Sequence, residues 1–295
     1  YGDPPRIDDI AAPGAPDPGH LGIDVAAGGV GSWDVGVADG RLARFVELQL
    51  PFVMGAELVG RVAAVGAGVE AFAVGDRVIA NPGIVGAWAE RVNLRASTCG
   101  PAPETLDDTQ AAALPVGAVT ALQALEMLGL PQGSSLLILG AGGSVGRAAI
   151  QLARVRGLTV YALLPAWEMD PSRAFGAHET LDEARDWVTE LDRRVDGVLD
   201  LIGGEALERS ATIIHPGGRV VTTLAGSMRA PVASSLSMGY LRMRSTTADL
   251  ASVSAYVDEG ELTLPVGAVL PLEDVADALR NVGAGRNNGK QVLAF

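Results

Sequence analysis

The sequence predicts an α/β protein in two parts, a doubly wound parallel sheet and a small antiparallel barrel. Three observations carry this. The apolar run 136–139 ends in glycines and passes at once into a helical pattern with Val145, Ala149, Leu152 and Val155 on one face, the start of a βαβ unit. From there strands and helices alternate, which argues a parallel sheet with helices on both faces. Residues 55–80 are instead dense in Val and Gly, as short strands separated by glycine turns, the pattern of a small barrel.

In chain order, residues 1 to 20 are rich in Pro, Gly and Asp and read as loop or edge structure. Residues 20–26 alternate weakly, as a strand does. Residues 28–40 hold five glycines and read as a flexible or closely packed loop containing Ser32, Trp33 and Asp34. Residues 86–94 add a strand. Asp107, Asp108 and Thr109 then offer N-cap chemistry to an Ala-rich helix interrupted at Pro115, and a domain boundary is expected here. A second strand of the parallel sheet spans Thr159 to Leu164. Pro165 and Pro171 mark a loop, a helix starts near Ser172, and 183–191 reads as helical. Residues 195–202 form an apolar strand ending in Gly203 and Gly204, and 218–224 form another. Residues 247–257 read as a helix. The tail, 264–295, carries a strand, a helix over 272–282 and a closing strand from Gln291.

At 295 residues the chain is long enough for two domains with sizeable cores. Its net charge of −13 argues against nucleic acid and against anionic membrane surfaces, both of which reward basic patches. One cysteine, Cys99, provides no disulfide framework, so a reducing, cytoplasmic compartment is expected. No apolar run is long enough to span a bilayer, and the N-terminus has no basic, apolar signal pattern. The first residue is Tyr1 rather than Met, which leaves room for residues before it.

Gly140, Gly143 and Gly146 fall three apart between strand and helix. The strict GxGxxG pattern fails, because Val145 stands three beyond Gly142. Glycine still allows the tight turn, and a helix N-terminus offers free N–H groups to a pyrophosphate. A glycine turn that merely packs helix on strand is the plainer alternative. The strand before, the helix after and the second strand at Thr159–Leu164 favour dinucleotide binding.

Four blocks, in order and spacing, resemble the medium-chain dehydrogenase/reductase superfamily, specifically its zinc-independent quinone oxidoreductase and enoyl reductase branch. They are Leu50-Pro51-Phe52-Val53-Met54-Gly55-Ala56-Glu57 with Val74-Gly75-Asp76-Arg77-Val78; Ala111-Ala112-Ala113-Leu114-Pro115 with Thr120 and Ala121; the glycine turn; and Leu270-Pro271-Leu272-Glu273-Asp274-Val275-Ala276-Asp277-Ala278 with Gly289-Lys290. The resemblance implies a GroES-like domain built from 1–115 and 264–295, a Rossmann domain over 116–263 inserted in it, a site in the cleft between them, and often a homodimer. Zinc-dependent members hold a catalytic metal through Cys, a His-Glu pair and a further Cys or His. Here Ala56 replaces that His, although Glu57 remains. One Cys and the scattered His20, His178 and His215 do not supply a catalytic set, so no metal is expected.

The resemblance further implies that Thr120 lies near the nicotinamide. Backbone of the turn, from Gly140 through Ala141, Gly142, Gly143 and Ser144 to Val145, holds the pyrophosphate. Leu201, Ile202, Leu224 and Ala225 flank the ring, against the plainer reading that such apolar strand ends are core. The segment after Leu164 carries no acid directly at the strand end, where one would favour NADH. Met169 stands where NADP-using relatives have a lysine, and Arg173 is a candidate substitute for gripping a 2′-phosphate, or a solvated helix residue. NADPH is expected, with NADH as the alternative. The family pattern Gly-Val-Asn-Pro-x-Asp reads here Gly29-Val30-Gly31-Ser32-Trp33-Asp34. Asp34 admits two roles, a proton relay or a hydrogen-bond acceptor that fixes its loop. Trp33 is a stacking platform or an inward-packed ring. Ser32 or Thr120 is a candidate for stabilising an enolate. The activity implied is hydride transfer to a quinone or an α,β-unsaturated carbonyl. The rivals are a non-redox tailoring enzyme on the same fold, which fold alone does not exclude, and a protein that binds nucleotide or ligand without turnover.

Overall fold

The computed structural model describes residues 5–43, 48–229, 236–285 and 288–295. Contacts divide the chain into two compact units, Tyr1–Val116 with Arg244–Phe295, and Gly117–Met243.

The N-terminal segment supplies strands β1 (His20–Val30), β2 (Leu58–Val65), β3 (Arg77–Ala80), β4 (Arg91–Arg95) and β5 (Cys99–Pro101) and helices α1 (Ser32–Ala38) and α2 (Asp108–Ala111). β1 runs through Gly28 and Gly29, part of the expected loop, and Ser32 to Ala38 is helical. The expectation of a loop over 28–40 is therefore corrected. Its glycines are strand residues because other groups fill the space beside them: a Cβ on Gly28 would stand 2.7 Å from the Trp88 ring, and one on Gly29 2.5 Å from the Glu57 carboxylate. The strand expected over 86–94 is confined to β4. Asp107 caps α2 by accepting the Gln110 N–H at 2.8 Å, while the Gln110 side chain takes the Asp107 N–H. The expected interruption lies at 112–114, and Pro115 opens α3 (Pro115–Leu128), as its missing N–H permits in a first turn.

The second unit contains β6 (Ser135–Leu139), α4 (Ser144–Val155), β7 (Thr159–Leu164), α5 (Met169–Ala174), β8 (Glu179–Asp182), α6 (Trp187–Leu191), β9 (Val195–Asp200), α7 (Gly204–Ser210), β10 (Ile214–Thr222) and β11 (Ser237–Tyr240). All pairings are parallel, in the order β11-β10-β9-β6-β7-β8. The order reverses between β6 and β9, and in open sheets of this kind ligands bind outside the carboxyl ends of the strands at such a switch point. Residues 183–186 are not helical, and β8 just before them is a strand the periodicity did not show. On α4 the expected apolar face is wider than its pattern: Ala148 to Ala153 are all buried, while Val155 is exposed.

The chain then returns to the first unit with α8 (Thr247–Asp258), β12 (Val266–Pro271), α9 (Val275–Gly283) and β13 (Lys290–Ala294). The seven-stranded sheet there runs β12-β13-β1-β2-β3-β5, with β4 also on β1. It is antiparallel except for β12 on β13. Residues 244–263 were expected in the inserted domain; α8 instead packs on β5. Ser254 donates to the Pro101 carbonyl at 2.7 Å, Asp258 accepts the Thr105 N–H at 3.0 Å, and a Cβ on Gly100 would meet Leu250 at 2.4 Å.

Candidate active site

At the carboxyl end of β6 the chain turns on glycines. Gly140 takes φ = +82°, open to glycine without a Cβ penalty. Its N–H and that of Ala141 both donate to the Leu163 carbonyl at 3.0 Å, which ties the turn to β7. Gly146 is required by contact, since a Cβ there would stand 2.5 Å from Ala141 backbone. Gly143 is the N-cap of the 12-residue α4, without a side-chain cap. Where its own Cβ would lie, no described atom comes within 4 Å. The N–H groups of the first turn, which includes Ser144 and Val145, thus meet an open face, and helix N-termini of this kind favour anions. Gly117 of α3 presses on this turn: a Cβ there would be 2.9 Å from Ser144 Cβ. Thr120 lies on the same helical face one turn along and is buried.

The strand ends beside the turn are not core. Ile202 is 45% and Leu224 37% exposed, Ala225 is exposed and Leu201 half-buried. Asp200, which the sequence reading passed over, holds them. One carboxylate oxygen accepts the N–H groups of Ile202 at 3.2 Å and Gly203 at 2.6 Å; the other accepts the Thr222 hydroxyl at 2.7 Å. That hydroxyl in turn accepts the Leu224 N–H at 3.0 Å. A buried carboxylate thus fixes two exposed apolar tips.

At the end of β7, Leu164 is buried, and the chain curls through a short 3-10 turn that carries Glu168 back to the glycines. A Cβ on Gly142 would be 3.1 Å from the Glu168 side chain. Glu168 accepts from Arg147 of α4 at 2.6 Å, and the two side chains are 4% and 5% exposed. The signal was present as an acid about 20 residues beyond the glycines, but its place four residues after the strand concealed it. Arg173 is exposed and pairs with Asp170 at 3.4 Å.

The first unit holds a second cluster. Asp34, on α1, is 2% exposed and accepts the Gly31 N–H at 2.8 Å. Burial, opposed by that hydrogen bond and by the Lys290 charge, pushes its pKa up to about 7. Glu57 pairs with Lys290 of β13, with side chains 1% and 5% exposed. Its other oxygen accepts the Val116 N–H at 2.7 Å. Trp33 is half-buried and donates its indole N–H to the Ile84 carbonyl at 3.0 Å, so the ring straps α1 to the loop before β4. Ser32 is exposed at the start of α1. Among the described residues no three His, Cys, Asp or Glu side chains gather as metal ligands do, and no helix is long and apolar enough to cross a membrane.

The family model "Alcohol dehydrogenase GroES-like domain" matches residues 17–104, and "Zinc-binding dehydrogenase" matches 175–293. Human quinone oxidoreductase is 30% identical over 97% of this chain and 92% of its own length. The chain belongs to the medium-chain dehydrogenase/reductase superfamily. The human synaptic vesicle membrane protein VAT-1 homolog is likewise 30% identical over 96% of this chain and 81% of its own. The structure of the quinone oxidoreductase from Coxiella burnetii superposes with a TM-score of 0.91 at 26% identity, covering 98% of this chain and 94% of that one. Membership brings the α/β architecture with a GroES-like part and a Rossmann-like sheet, and it implies a nicotinamide cofactor and oxidoreductase chemistry.

Proposed function

We propose that the protein is an NADPH-dependent reductase that transfers hydride to a quinone or an α,β-unsaturated carbonyl without a metal. The observation that carries the nucleotide half is the open face at Gly143, where an uncapped helix start meets a turn whose glycines leave backbone bare. The bound dinucleotide supplies the hydride. The chain's residues do the rest. The N–H groups after Gly143 hold the pyrophosphate, Thr120 shares the face that meets the turn, and Ile202 and Leu224 offer apolar surface to a flat ring, dry on one side and fixed by Asp200.

Two side chains support NADPH over NADH. Glu168, the acid nearest the turn, is neutralised by Arg147 in a buried pair, so it does not present a bare carboxylate to a ribose diol. Arg173 is exposed, and its ion pair is of the kind worth at most about 1 kcal/mol; a dianionic 2′-phosphate can displace Asp170 from it. The likeness to quinone oxidoreductases supports the acceptor class.

Calorimetry with NADPH and NADH, followed by loss of reduced-nicotinamide absorbance over a panel of quinones and enones, tests this. NADPH should bind more tightly than NADH, and Arg173→Ala should weaken NADPH by at most about 5-fold while leaving NADH unchanged, the loss of one exposed charge contact. Tighter NADH binding would reverse the cofactor assignment. Absence of heat with either nucleotide would remove the reading as a whole.

A further inference from the structure

Lys290 is the only lysine of the chain, and it is buried. A buried ion pair is a poor source of stability, because desolvating two charges cancels most of their attraction. The Glu57–Lys290 pair therefore invites another explanation, and the backbone beside it supplies one. A Cβ on Gly31 would stand 3.1 Å from Lys290 Nζ and 3.8 Å from Asp34 Oδ2, with no other described atom within 4 Å apart from its own neighbours in the chain. The neighbouring glycines of the same stretch differ. At Gly29 that position is filled by the Glu57 carboxylate, and at Gly28 by the Trp88 indole. Gly31 alone of the three leaves a gap, and the gap ends on an ammonium. Gly31 has φ −134° and ψ 179°, which any residue adopts, so the backbone does not demand glycine here. The missing side chain matters for the space it leaves.

We propose that Lys290, reached through the gap at Gly31, binds the carbonyl oxygen of the acceptor. This rests on the reductase reading above. When hydride adds to the far carbon of a conjugated carbonyl, the C=C pair shifts and negative charge gathers on the oxygen. A fixed N–H donor in a dry site stabilises that charge more than water does. Lys290 keeps its proton in this step; the enolate takes one from water at the neighbouring carbon, which completes the two-electron reduction. Glu57 holds the ammonium in place, and its second oxygen is tied to the Val116 N–H, so the donor is anchored before substrate arrives.

A single lysine makes the test direct. Reductive methylation with formaldehyde and cyanoborohydride, read by mass on the peptide containing Lys290, reports whether Nζ is reachable. Menadione or benzalacetone, added before labelling, should protect it. Gly31→Ala fills the gap with a methyl that presses on Lys290 Nζ at 3.1 Å and leaves both partners of the ion pair in the chain. It should lower labelling and weaken binding of both probes by calorimetry about tenfold or more, as expected for one hydrogen bond to a charged group, with the NADPH dissociation constant unchanged. Lys290→Arg keeps the charge in the pair and should retain part of the probe binding that Lys290→Met loses. Equal labelling and equal probe binding in wild type and Gly31→Ala would overturn the proposal, as would a probe that binds without protecting Lys290. Both outcomes are read without cofactor. Failure of NADPH to bind would instead strike the reductase reading.

Discussion

Two glycine-rich stretches of this chain solve opposite problems. After β6, glycines keep side chains away so that backbone N–H groups stay bare: the face at Gly143 is open and Gly146 lets α4 close on Ala141. At the end of β1, glycines make room for the side chains of other segments, with Trp88 over Gly28 and Glu57 against Gly29. In the first region the chemistry belongs to the backbone. In the second it belongs to Asp34, Glu57 and Lys290, and the glycines serve as their housing. A glycine cluster is therefore not a motif until it is known what occupies each missing Cβ.

The sharpest way to break this comparison is to remove a charge from the second region. Lys290→Met leaves Glu57 buried without its partner and should cost about 3–5 kcal/mol in urea unfolding; a loss below about 1 kcal/mol would mean that the charges there are better hydrated than the burial of both side chains indicates. Titration probes the same region more gently. Asp34 is raised from 3.8 to about 7. Between these values the native state keeps a proton that the unfolded chain has released, so this contribution to stability is whole below about pH 4 and is lost as pH rises through about 7. Each unit of displacement corresponds to about 1.4 kcal/mol. Asp34→Asn, which keeps an acceptor for the Gly31 N–H, should flatten the decline between pH 4 and 7 in a series of unfolding curves. An unaltered decline would assign it to other groups.

The backbone region should answer in binding before it answers in stability. Gly146→Ala places a methyl 2.5 Å from Ala141 backbone. The turn must shift, at a cost of about 1–3 kcal/mol, and calorimetry should show nucleotide affinity falling by more than the thermal stability alone would suggest. Unchanged affinity would show that the turn only packs helix on strand, the plainer reading of its glycines.

How far residues foretold structure depends on how local the cause is. The span Thr159–Leu164 emerged as β7 to the residue, because an apolar run followed by Pro165 needs no distant partner. The expectation at 28–40 failed because five glycines look the same whether a loop or a packed strand needs them; Trp88 and Glu57, which decide it, lie 59 and 28 residues beyond Gly29. Asp34 was legible as a loop acceptor, and the Gly31 N–H does bond to it, but nothing near it in sequence announced a pKa near neutrality.

By itself the sequence determined the local units: the capped start of α2, the alternation of strand and helix, the glycine turn and the family to which these blocks belong. Each arises from hydrogen bonds and periodicities within a few consecutive residues. Only the tertiary structure decided where the charges are dry. Glu57 meets Lys290, Glu168 curls back to Arg147, and Asp200 grips two strand tips. Desolvation is a property of what surrounds a group, and the surroundings here are assembled from segments far apart in the chain.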